Sequence, residues 1–140
     1  AFFLRLEGSA NTFWGYDPDG KTPRGEATGT PLVKGAGQTG SDLITDGWSP
    51  GISCLRMGDY FSVNGELKMV TVDANSNGSG QATVSSKPAL RNSPADNAPL
   101  TVTNAVCKMT LADDSQAMWA SGVRYGIYDE LTFTAVEAIT

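Results

Sequence analysis

Residues 15–22, GYDPDGKT, carry the spacing of a phosphate-binding loop, in which backbone N–H groups and a lysine hold phosphate oxygens where a helix begins. Asp17 and Asp19 lie inside this loop and repel a polyphosphate, and Pro23, Gly25, Gly29 and Pro31 prevent the helix that has to follow. The segment therefore reads as a surface turn. Residues 35–40, GAGQTG, match the dinucleotide spacing, but residues 41–50 contain Asp42, Thr45, Asp46, Gly47 and Pro50 and offer no helix for a βαβ unit. Asp73, Asn75 and Asn77 copy the first half of a calcium loop, with Ser79 at the seventh position. Its twelfth position is Val84 where a bidentate Glu is required, so Asx-turns are the expected use of these side chains.

The catalytic inventory is equally thin. The chain has no His, which removes the usual neutral-pH base and the activation of Ser or Cys by imidazole. Cys54 and Cys107 are far apart, without an imidazole to complete a zinc set, and read as buried thiols rather than a disulfide framework. Asp113-Asp114 and Asp129-Glu130 are adjacent pairs, which on a strand point to opposite faces. Asp59 and Glu66 flank one hairpin and are expected to be two solvated acids on an open sheet face. The expectation is a protein that is not an enzyme and takes no cofactor or metal.

A net charge of −5, from 15 acids and 10 dispersed bases, gives no footprint for nucleic acid. No run of 18 apolar residues is present, so no helical membrane span is expected. Ala1-Phe2-Phe3-Leu4 is too short for a signal sequence.

The elements that position these residues are strands. The 16 Gly and 7 Pro fall between short apolar runs, the punctuation of an all-β fold. Residues 60–63 and 66–72 are strand-like and are joined by Asn64-Gly65, the pair that best tolerates a type I′ hairpin turn. Residues 81–86, with Ala82 and Val84 in alternation, add a third strand and make a meander. Residues 12–16, 106–111, 117–121 and 126–138 read as further strands, and residues 1–7 as the end of an amphipathic helix stopped by Gly8. The expected architecture is a small OB- or SH3-like barrel over residues 23–102, inserted in or appended to a β-sandwich made by residues 1–22 and 103–140. Phe13, Trp14, Phe133 and Ile139 lie outside the barrel segment and need that second core.

The succession TPRGEATGTPLVKGAGQTGSDLITDGW, LRMGDYFSVNGELKMVTVD, SNGSGQATV and PALRNSPADNAPLTV resembles a protein of tailed bacteriophages and prophages, similar to distal tail (baseplate hub) proteins. The resemblance runs from about Phe13 to the C-terminus. It implies a structural subunit of the virion tail, assembled in the host cytoplasm, that forms a six-fold ring with itself and meets tail-tube and tail-tip proteins. It also implies a larger parent chain, because in that family a comparable helix follows an N-terminal β region. The alternative is a carbohydrate- or host-surface-binding module, since small barrels display ligand sites on strands and loops. Two residues are the interface candidates. Phe133 lies on the last apolar strand, and Trp48, in a loop between Asp46-Gly47 and Ser49-Pro50, is either an exposed anchor or a plug beneath its loop.

Overall fold

The computed structural model describes residues 12–15, 17–111 and 135–137. It is nearly all β. The strands are β1 (Phe13–Gly15), β2 (Gly29–Val33), β3 (Gly40–Trp48), β4 (Ser53–Leu55), β5 (Tyr60–Val63), β6 (Glu66–Val70), β7 (Ala74–Asn75), β8 (Ala82–Leu90), β9 (Cys107–Leu111) and β10 (Ala135–Glu137), with one 3-10 turn at Pro18–Gly20. The helix end expected over residues 1–7, the strands expected over residues 117–121 and 126–134, and the side chains of Phe133 and Ile139 fall outside the described residues.

The chain divides into two compact units, one of Ala1–Gly15 with Cys107–Thr140 and one of Tyr16–Val106. In the first, β9 lies between β1 and β10, antiparallel to both. Gly15 and Cys107 are register partners across β1 and β9, so the polypeptide leaves this sheet and returns to it at one rung. The second unit extends beyond the 23–102 expected from sequence. The Asn104 N–H donates to the Lys21 carbonyl, and Gly20 packs so closely on Tyr60 that an added Cβ would lie 2.2 Å from the ring.

In the second unit five strands form an antiparallel sheet in the order β2-β3-β8-β6-β5. The meander of β5, β6 and β8 is present, with Met69 opposite Lys87 and Val70 opposite Ser86. Asn64 and Gly65 have φ of +53° and +76°, the two positive angles a type I′ turn demands. The sheet curls into a half-barrel. Residues 97–101, which form no regular strand of their own, bridge its two edges: Leu32 pairs with Pro99 beside β2, and Ser62 with Thr101 beside β5. The enclosed core comprises Val33, Leu43, Trp48, Leu55, Phe61, Val63, Val70, Val84 and Leu100 with smaller neighbours. A separate two-stranded ribbon, β4 with β7, takes a third strand-like partner from the N–H groups of Glu26 and Ala27, which donate to Ser53 and Cys54.

Candidate functional site

The residues flagged by type and spacing come apart once their partners are known. In the phosphate-loop pattern, the Asp17 carboxylate caps a 3-10 turn by accepting the Asp19 N–H at 3.0 Å, and the loop opens no α-helix. In the glycine-rich stretch, Gln38 ties the β2–β3 hairpin loop together. Its amide donates to the carbonyls of Lys34 and Ile44, and its oxygen accepts the Ile44 N–H at 2.6 Å. In the calcium-like segment the oxygens diverge. Asp73 accepts from the Met57 N–H, Asn75 is part of β7, and Asn77 accepts the N–H groups of Ser79 and Gln81. Among the described residues no group of three or more His, Cys, Asp or Glu side chains is placed to share a metal ion. Cys54 and Cys107 are buried and form no disulfide with one another, and burial pushes the Cys54 thiol above its ordinary pKa.

Asp59 and Glu66 contradict the solvated face expected for them, being 4% and 1% exposed. The physical reason is that each carboxylate is saturated by donors, one close in sequence and two from a distant segment. Asp59 receives the N–H groups of Arg24, Gly25 and Arg56 at 2.9, 3.1 and 2.8 Å and faces the Arg24 guanidinium at 3.4 Å. The same guanidinium donates to the Met57 carbonyl. Burial by itself raises a carboxyl pKa, but the backbone donors outweigh it and hold Asp59 below its usual range.

Glu66 receives Lys68 Nζ at 2.7 Å and the N–H groups of Arg91 and Asn92 at 3.0 and 3.3 Å. Here too burial pushes upward, and Lys68 with the two N–H groups overcomes it, leaving the carboxyl below its ordinary value. Lys68 is itself wholly buried and also donates to the Ala89 carbonyl at 2.9 Å. These acids are charged fasteners between chain segments. Each carries its own set of partners.

Trp48 takes the buried one of its two readings, and Trp14 departs from its expected place. Trp48 is 3% exposed, and its indole N–H donates to Thr45 Oγ1 at 2.8 Å, while that hydroxyl donates to the Ala82 carbonyl. It is the last residue of β3 and belongs to the core, so of its two readings the exposed anchor is excluded within this chain. Gly47, at φ +77°, breaks the alternation of β3 and turns Trp48 inward, where a strict period of two would face it outward. Trp14, expected in the core, is 57% exposed, with Lys108 Nζ 5.6 Å from its ring centroid on the neighbouring strand. Sequence reasoning missed it because a three-residue strand shows too little alternation to assign a face.

No protein-family model and no curated protein matches this sequence.

Proposed function

We infer that this chain is a non-catalytic structural subunit of a bacteriophage tail tip, similar to distal tail proteins, that assembles as a six-fold ring between tail tube and tip. The observation that carries this reading is where the four resembling sequence blocks fall. They span residues 22–48, 55–73, 76–84 and 88–102, all inside the unit Tyr16–Val106, and they supply its hairpin turn, both of its saturated carboxylates and the segment that bridges the sheet edges. That unit is inserted in sequence between two paired strands of another sheet. Its buried charges are fully engaged in joining backbone segments, consistent with a scaffold. Trp14, exposed beside Lys108, is an aromatic side chain available to a neighbouring subunit.

The test is to purify tails, detect the chain by mass spectrometry and locate it by electron microscopy. The expected result is a density ring at the tail tip, lost or weakened by Trp14→Asp, which alters an exposed residue outside the barrel core. Absence of the wild-type chain from purified virions overturns the assignment. Retention on immobilised host-surface glycans, reduced by the same substitution, transfers it to the surface-binding reading.

A further inference from the structure

The half-barrel owes its closure to one short segment, and that segment is joined weakly on both sides. On the β2 side, the Val33 N–H donates to the Ala98 carbonyl, the Asn97 N–H to the Val33 carbonyl and the Leu100 N–H to the Pro31 carbonyl. Pro31 has no N–H with which to return the bond to Leu100, and Pro99 has none to offer opposite Leu32. On the β5 side the connection is a single reciprocal pair, Ser62 with Thr101, at 2.8 and 2.9 Å. By comparison β3 and β8 are register partners from Asp42–Ser85 through to Thr45–Ala82 without interruption.

What holds the segment lies upstream of it. The buried Glu66 carboxylate accepts the N–H groups of Arg91 and Asn92, and Lys68 holds the Ala89 carbonyl, so one ion pair on β6 fixes the end of β8; between it and residue 97 the chain is also held by the buried Pro94 and by Asp96, which accepts the Gly35 N–H at 2.7 Å. Leu100, 6% exposed, completes the attachment from the core side.

We propose that residues 97–101 form an exchangeable closing strand, and that its release lets a second copy of this chain supply the missing strand. Release leaves two sheet edges, β2 and β5, each with a row of N–H and C=O groups that need partners. The segment that fits both edges in sequence, register and proline placement is the same segment of another copy. Exchange therefore restores every bond lost, with no new contact required. The Glu66–Lys68 pair restrains opening, because it is the buried anchor of the chain that enters the segment.

Two measurements on the full chain decide this. In hydrogen exchange, the amides of Val33, Ser62, Leu100 and Thr101 are expected to open at least ten-fold more often than the amides of β3 and β8, with the ratio rising in Glu66→Gln. Equal protection across the unit overturns the proposal. In the second, concentrated protein is warmed towards its unfolding midpoint, cooled, and sized by light scattering. Wild type is expected to acquire a species of twice its unheated mass, whereas a Ser62→Cys/Thr101→Cys variant acquires it only when reduced, because a hydrogen-bonded antiparallel pair has the Cα separation a disulfide accepts. Doubling in the oxidised variant, or none in wild type, also overturns it.

Discussion

Glu66 Oε1 lies 2.7 Å from Lys68 Nζ, and the two side chains are 1% and 0% exposed. Two residues apart on β6, they share its inward face. An ion pair so enclosed gains little over an apolar pair of similar volume, yet removal of one member strands the other charge without compensation.

Glu66→Gln and Lys68→Met are each expected to destabilise the fold by about 3–5 kcal/mol. Glu66→Met/Lys68→Met recovers part of that loss. It still leaves the N–H groups of Arg91 and Asn92 without acceptors, at about 1–3 kcal/mol each. Urea unfolding of the four proteins checks the non-additivity, and strictly additive losses contradict the pairing.

Asp59 and Glu66 both titrate below their ordinary values, so the unfolded chain binds their protons first as acid is added. Their contribution is complete above the unfolded carboxylate range, about pH 4, and disappears as pH falls through the lower folded values. Stability is therefore expected to decline on acidification below about pH 4, and Asp59→Asn to flatten that decline while lowering stability at pH 7. Thermal midpoints between pH 2 and 7 measure both effects.

Two glycines at nearly the same φ are expected to respond differently to a side chain. Around Gly65, at φ +76°, an added Cβ meets nothing within 4 Å, so Gly65→Val carries the conformational penalty alone, about 1–3 kcal/mol. At Gly47, φ +77°, the same atom would lie 2.1 Å from the Thr30 carbonyl oxygen, so even Gly47→Ala should cost more than Gly65→Ala. Denaturation midpoints of the two alanine variants give the order directly.

Residues 16–106 are expected to fold when expressed alone, because their core and their ion pairs are drawn from within that span. Trp48 is the one tryptophan among them and its indole is buried, so a blue-shifted emission lost in a single cooperative transition reports the native core. Emission like that of free tryptophan before any heating contradicts autonomy.

The hairpin was legible because Asn64-Gly65 is a local instruction, needing nothing beyond two adjacent residues and their flanking alternation. The inward positions of β8, at Ala82 and Val84, were legible for the same reason. The buried acids were legible only in part: Lys68, two residues from Glu66 on the same strand face, is a local signal, but the backbone N–H groups that complete both sites come from far away, Arg24 lying 35 positions from Asp59 and Arg91 lying 25 from Glu66. Backbone donors leave no signature in side-chain pattern. The closing segment escaped as well, because Pro99, which also weakens its seam with β2, gives it the composition of a loop. Parity left Trp48 undecided and Trp14 misplaced, one glycine in β3 resetting the alternation and a three-residue β1 offering too little of it.

The register pairing of Gly15 with Cys107 also determines how the chain bears force. Tension applied along the polypeptide from one side of the insertion to the other is carried across the β1–β9 rungs, which short-circuit the loop of residues 16–106. The inserted unit feels no load until those rungs separate. A pull that would shear strands in an uninterrupted sheet thus has to break a three-rung ladder first, and only then does the barrel begin to lengthen.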